Sequence, residues 1–274
     1  MDRVHAIEFE DFQWVPSAVR DGGTALLDLG FAVLRFYRPV ASAMVSVLDA
    51  TGATHAVDVC SGAGGGALAM RRELKELGRA LPRWTLTDRY PNEGAIAQIQ
   101  QQNDSSLEYK PTSVDAMSAD DPAFAKSASS PSPPVRTMFG ALHHFRPAAV
   151  RSILAAAVSA RAPVAFFDIA ASPQLRKVPL VLAPIPVAIN MTMLFWVSFL
   201  MVPFARPFRL SRLALTYLIP LIPMLVAWDG TASALRAYMP EELLEIARSV
   251  PGSDSYEWRS AREGNALYLT GIPK

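Results

Sequence analysis

The chain has 274 residues, long for one compact domain and short for two, so one α/β domain with an insertion is the economical expectation. With 26 basic against 25 acidic residues the net charge is +1, which leaves no electrostatic footprint for nucleic acid. A single cysteine, Cys60, excludes an internal disulfide and fits a reducing compartment.

The start, Met1-Asp2-Arg3-Val4-His5-Ala6-Ile7-Glu8, is acidic and lacks the apolar core of a signal peptide, which puts the catalytic part on the cytoplasmic side. Residues 11–50 read as helices, with apolar positions at helical spacing from Ala25 to Leu34 and again from Val40 to Leu48. A buried-strand pattern runs from Ala56 to Cys60. A glycine turn follows, then a helix from Ala67 to Leu77 closed by Gly78. Trp84 to Asp88 reads as a second strand ending in a carboxylate, followed by a helix over Glu93–Gln101 and a strand at Leu107–Tyr109. Ser118–Pro134 is rich in Ser and Pro and is expected to be a mobile loop. Strand Val135–Phe139, helix Ala148–Ala160 and strand Val164–Ile169 resume the alternation, which predicts a parallel sheet covered by helices. A helix beginning at Pro240 and two terminal strands around Glu263-Gly264-Asn265 close the chain.

Residues 178–228 break this pattern. Val178 to Ala205 carries no charge, more than the ~20 residues that cross a bilayer core, and a basic turn at Arg206, Arg209 and Arg212 separates it from a shorter uncharged run, Leu213 to Trp228. Sheet elements flank the segment, so the chain leaves and returns on one side of a membrane. Two clean spans would put the arginine turn outside, against the positive-inside tendency, so a re-entrant or interfacial hairpin is favoured. A buried helical hairpin or a dimer interface is the alternative. The expected division is thus an N-terminal helical cap over residues 1–50, a ligand-binding core over 51–175, an apolar membrane-associating hairpin over 176–228, and a return helix with terminal strands over 229–274.

A glycine-rich turn after the first strand lets backbone approach a ligand, and the next helix N-terminus favours negative groups. The surrounding carboxylates narrow the choice. Asp58 lies in the first strand. Asp88 ends the second, where a carboxylate accepts both hydroxyl hydrogens of a ribose; Asp115 follows the third, within reach of an adenine amino group. Here the chain resembles the class I S-adenosylmethionine-dependent methyltransferases. Asp58-Val59-Cys60-Ser61-Gly62-Ala63-Gly64 matches their first motif, Leu86-Thr87-Asp88 the second and Val114-Asp115-Ala116 the third; Leu142-His143-His144 is similar to their fourth-strand exit. The likeness covers about residues 50–172 and 238–272. A narrower one, to a bacterial branch of that family, lies in Glu8-x-x-x-Phe12-x-Trp14-x-Pro16, Thr216-Tyr217-Leu218-Ile219-Pro220 and Trp228-Asp229-Gly230. Cys60 departs from the family, standing where most members have the first glycine.

The resemblance implies a Rossmann-like seven-stranded α/β sheet with N-terminal helices and the apolar hairpin inserted after the fifth strand. It implies S-adenosylmethionine as cofactor, with Asp88 on the ribose, Asp115 on the adenine, Gly62, Gly64 and Gly65 at the methionyl part, and Asp58, Ser61 and Leu142 completing the site. Methyl transfer needs alignment of a nucleophile, and a base only where the acceptor loses a proton. His144, His143 and Asp168 stand at the sheet edge as candidates; cofactor stacking and loop hydrogen bonding are the bland roles of the two histidines. Asp229 and Arg236 could fix a polar headgroup or pair with each other, Tyr37 and Arg38 could close over the cofactor, and Trp14 is expected in core or interface. An apolar cap after the fifth strand implies a hydrophobic or amphiphilic acceptor taken from the membrane: a lipid, or a quinone-like or polyketide-like compound. A nicotinamide oxidoreductase fits less well, because Gly62-Ala63-Gly64 leaves Ala67 where the dinucleotide motif has its third glycine. A catalytically silent membrane adaptor is compatible with the same fold.

Overall fold

A computed structural model describes residues 3–12, 14–126, 130–169, 175, 178 and 180–274. In chain order the regular elements begin with α1 (Ser17–Val33), α2 (Ala41–Thr51), β1 (His55–Asp58), α3 (Gly65–Glu76), β2 (Arg83–Leu86), α4 (Glu93–Gln101) and β3 (Leu107–Tyr109). They continue with β4 (Val135–Phe139), α5 (Pro147–Ser159), β5 (Val164–Ile169), α6 (Pro184–Met201), α7 (Leu210–Tyr217), α8 (Leu221–Arg236), α9 (Pro240–Arg248), β6 (Tyr256–Glu263) and β7 (Ala266–Pro273). They form two compact units. A sheet unit comprises Tyr37–Asp168 and Tyr238–Lys274; a helical unit comprises Met1–Phe36 and Ile169–Ala237.

In the sheet unit the strand order is β3-β2-β1-β4-β5-β7-β6. The first five strands pair in parallel and β6 pairs antiparallel with β7. The near-continuous apolar run of β5 and the complete burial of β4 suit strands covered on both faces. On one face Met138 and Phe166 join Leu154 of α5 and Leu243 of α9 in the core. On the other, Phe139 stacks on Phe167 at 5.3 Å, flanked by Trp84 and Tyr37. Tyr37 is thus a buried core residue, whereas Arg38 is exposed.

Two strands end earlier than expected. β1 stops at Asp58 because Cys60 takes φ +57°, a left-handed turn, and β2 stops at Leu86, two residues before Asp88. The expected loop Ser118–Pro134 is partly anchored, and its residues 127–129 lie outside the described ones. Asp121 caps a 3-10 turn at Pro122–Phe124, and Arg136 of β4 donates to the carbonyls of Ser118 and Ala119 while its guanidinium sits 4.0 Å over Phe124. A buried cation that needs acceptors and a ring therefore ties this segment to the sheet; burial lowers its pKa to about 10.

In the helical unit, Val15 and Val19 pack with Val202, Ile222 and Leu225, joining α1 to α8. The expected two-legged hairpin has three helices; residues 176, 177 and 179 at its start are not among those described. One long apolar helix, α6, is followed by α7 and α8, which meet at 76° where Pro220 interrupts the second uncharged run. The segment of residues 3–12 lies along α8. Val4 N–H donates to the Leu235 carbonyl, the Trp228 indole donates to the Ile7 carbonyl at 2.8 Å, and Arg236 reaches the Ala6 carbonyl. Asp229 and Arg236 do not serve chiefly as each other's partners. Asp229 accepts the amides of Phe9 and Glu10 at 2.7 and 3.0 Å, while buried Arg236 pairs with Glu8 at 3.2 Å and Asp11 at 3.7 Å. Trp14 is 70% exposed, so it is not a core residue; it stacks on Phe12.

Candidate active site

The carboxyl ends of parallel strands carry the loops of an open α/β sheet, and the crevice lies where neighbouring strands send their connections opposite ways. Here that point is between β1 and β4, and the expected residues of the sheet unit gather around it. Beyond β1 the chain turns sharply, with positive φ at Cys60, Gly62 and Gly64, before α3 begins. A side chain at Gly66 would place its Cβ 2.4 Å from the Cβ of Phe139, so this glycine lets the start of α3 close onto β4. Ser61 is held from below: its hydroxyl donates to Asp58 Oδ2 at 2.6 Å and accepts the Thr87 amide at 3.2 Å. Gly64 and Gly65 open the helix itself.

Asp58 is buried beneath the turn, and Thr137 donates to its other oxygen at 2.9 Å. Burial pushes its pKa up to about 7, opposed by the Ser61 and Thr137 hydrogen bonds and aided by the charge of Asp88. It supports the loop from inside rather than facing a ligand. Burial likewise drives the pKa of the Cys60 thiol far up, and its side chain packs against the core.

Asp88 sits across from the turn. Its Oδ2 accepts the Gly62 amide at 2.9 Å and its Oδ1 the Tyr90 amide at 2.8 Å. One such bond per oxygen leaves acceptor capacity for hydroxyl donors. Asp115 follows β3, accepting the Met117 amide at 2.9 Å with Arg89 3.8 Å away. Sequence reasoning missed Tyr109, whose hydroxyl donates to the Gly62 carbonyl at 2.8 Å and fixes the exposed middle of the turn. An aromatic residue in a short third strand carries no motif that would reveal this.

Leu142, His143 and His144 form a 3-10 turn after β4, with Leu142 in the core. The two imidazole rings lie 4.4 Å apart. His143 is tied to the end of β5: Asp168 accepts its Nδ1 at 2.8 Å and its backbone amide at 2.9 Å. A carboxylate at Nδ1 assigns the proton to that nitrogen and leaves the lone pair on Nε2. His143 and Asp168, separate candidates in the sequence, are therefore one pair.

The helical unit contains a groove of about 640 Å3 lined by Trp14, Val19, Phe195, Trp196, Met224 and Trp228 among others, with Thr192 as its hydroxyl-bearing wall.

Among solved structures the plantazolicin methyltransferase BpumL, in complex with S-adenosylhomocysteine, matches with a TM-score of 0.55 at 9% identity, covering 95% of this chain and 91% of that one. An O-methyltransferase family protein from Burkholderia thailandensis matches at 0.46 with 12% identity over 87% of this chain and 57% of that one. Human N-acetylserotonin methyltransferase, in complex with S-adenosylmethionine, matches at 0.47 with 11% identity over 94% and 56%. This chain spans little more than half the length of those last two. No protein-family model and no curated protein sequence matches it. The chain has the fold of the class I S-adenosylmethionine-dependent methyltransferases.

Proposed function

We propose that this chain is an S-adenosylmethionine-dependent methyltransferase acting on a small hydrophobic or amphiphilic acceptor at a membrane surface, with the catalytic unit on the cytoplasmic side. The observation that carries the cofactor is Asp88: a carboxylate at the exit of the second strand, bonded to the amide of the glycine turn, with both oxygens still able to accept. The residues fit the group. Asp88 would hold the ribose and Asp115 the adenine amino group, while the amides around Gly62, Gly64 and Gly65 would meet the methionyl part. Asp58 and Ser61 keep that turn in shape, and Leu142 anchors the exit of β4 in the core beneath it.

The cofactor, when bound, supplies a methyl group on a sulfonium. The chain has to align the acceptor and exclude water, because positive charge disperses as the methyl moves. For an acceptor that loses a proton, His143 is the base, oriented through Nδ1 by Asp168, with the His144 ring tilted against it at 4.4 Å. An apolar or amphiphilic acceptor is supported by the exposed apolar helix α6 and by the groove, whose volume falls in the range of ~300–1,000 Å3 usual for ligand sites.

The test begins with calorimetry. S-Adenosylmethionine should bind and NAD should not, and Asp88→Ala should weaken binding at least ~10-fold, the loss of about 1.4 kcal/mol. Membrane lipid extract from cells expressing the chain should then contain a species heavier by one methylene, absent with Asp88→Ala. Binding of NAD in place of S-adenosylmethionine would sink the proposal.

A further inference from the structure

The apolar segment Pro184–Phe204, 21 residues as a helix, would extend about 31 Å, close to the ~30 Å of a hydrocarbon core. Length alone permits a crossing. The neighbours of α6 oppose one. Asn190 donates to Thr231 at 2.9 Å, and Leu194 lies so close over Gly230 that a Cβ there would come within 2.8 Å of it. The middle of α6 therefore runs alongside Asp229–Thr231 of α8. At that level Asp229 binds the amides of Phe9 and Glu10, and farther along α8 Arg236 pairs with Glu8 and Asp11, the last of these exposed. A crossing would hold Asp229 at mid-depth in the bilayer and draw the exposed carboxylate of Asp11 toward the hydrocarbon, where ionised groups persist only inside a bundle or in a water-filled cavity.

The other side of α6 is apolar and exposed over its whole length. Ile185, Ile189, Met193, Trp196, Leu200 and Phe204 recur every third or fourth residue, so they form one stripe. A helix entering end-on would use one tip of that stripe, whereas a helix lying flat uses all of it. We infer that the helical unit docks on a single leaflet of a lipid bilayer, with α6 parallel to the membrane plane, its stripe among the acyl chains, and α8 with residues 3–12 on the water side. Arg206, exposed just beyond the stripe, suits anionic headgroups, with Arg209, which pairs with Asp21 at 3.4 Å, beside it. Leu218, 81% exposed at the bend between α7 and α8, adds an apolar point near the same end of α6, since the adjacent Tyr217 bonds the Phe199 carbonyl. This inference rests on the membrane association proposed above and is independent of methyl transfer.

The experiment measures depth. The full chain, in a Cys60→Ser background, carries a nitrobenzoxadiazole label at Ile185→Cys, Met193→Cys or Phe204→Cys and is mixed with phosphatidylcholine–phosphatidylglycerol vesicles holding shallow or deep spin-label quenchers. Flat docking gives three equal, shallow depths. A profile deepest at Met193 and shallow at both ends means a crossing and overturns the inference. Ile189→Glu with Leu200→Glu should lower vesicle affinity at least ~10-fold while leaving thermal unfolding without vesicles unchanged, because both residues are exposed. Failure of the unsubstituted chain to sediment with vesicles also overturns it, as does a dimer that the same pair of substitutions dissociates. S-Adenosylmethionine calorimetry on the unsubstituted chain keeps the two readings apart: retained cofactor binding with no vesicle binding removes the docking alone.

Discussion

At the scale of single residues the site depends on two buried carboxylates with different duties. Asp58 lies beneath the glycine turn with one hydroxyl donor on each oxygen, and burial raises its pKa from 3.8 to about 7. A folded-state value above the unfolded one means that the fold favours the protonated acid. That contribution is complete below about pH 3.8 and is lost as the pH rises through about 7, at roughly 1.4 kcal/mol per pH unit within that window. The melting temperature should therefore fall between pH 5 and pH 8, and Asp58→Asn should flatten the fall; parallel curves for the two proteins in scanning fluorimetry would refute this. Asp168 has a positioning duty, since it holds His143 through Nδ1 and the backbone amide. Asp168→Asn should lower turnover by ~10²-fold or more with an acceptor that must lose a proton, shift the pH–rate profile, and leave S-adenosylmethionine affinity unchanged. An equal loss with an acceptor that has no proton to lose would instead mean that the substitution damages the fold.

At the scale of elements, legibility follows the range of the interaction that fixes each feature. α4, β3, β4 and β5 begin and end where apolar periodicity and flanking residues put them, because those signals are local. β1 looks longer in the sequence, since apolar character continues through Val59 to Cys60, where the backbone turns to positive φ, and β2, expected to run to the carboxylate Asp88, ends two residues before it. The carboxylates and glycines of the candidate site stand out for their chemistry, but the joining of His143 to Asp168 and of Tyr109 to Gly62 depends on pairings between strands that no single segment encodes. The same holds for the anchoring of residues 3–12, which depends on Arg236 more than two hundred positions away. Arg236 and Glu8 are both almost fully buried, and Ser233 supplies a further bond to Glu8. Removing one partner of a buried pair leaves an uncompensated charge, at about 3–5 kcal/mol. Arg236→Met should thus destabilise the protein by that order and raise hydrogen exchange across residues 3–12. Adding Glu8→Gln should restore part of the loss, and an unstable double variant no better than the single one would count against the ion pair as the cause.

At the scale of the whole molecule, each unit is assembled from two separate stretches, and the chain passes from one unit to the other after residues 36, 168 and 237. A ligand that binds only the folded form stabilises what it touches by mass action, by about 2.7 kcal/mol at a hundredfold excess over Kd. The proposed cofactor contacts all lie in the sheet unit, and the proposed lipid contacts all lie in the helical unit. S-Adenosylmethionine should therefore slow amide exchange in β1, α3, β2 and β4, while vesicles should slow it in α6, α7 and α8. Hydrogen-exchange mass spectrometry with each ligand alone and with both together separates the cases, since amides that open locally report local stability and those that open only on global unfolding respond to either ligand. Protection confined to the matching unit would mean that the two units open separately. Equal protection everywhere from either ligand would mean that the three crossings weld them into one cooperative fold, so that membrane docking of the helices would also stabilise the cofactor site.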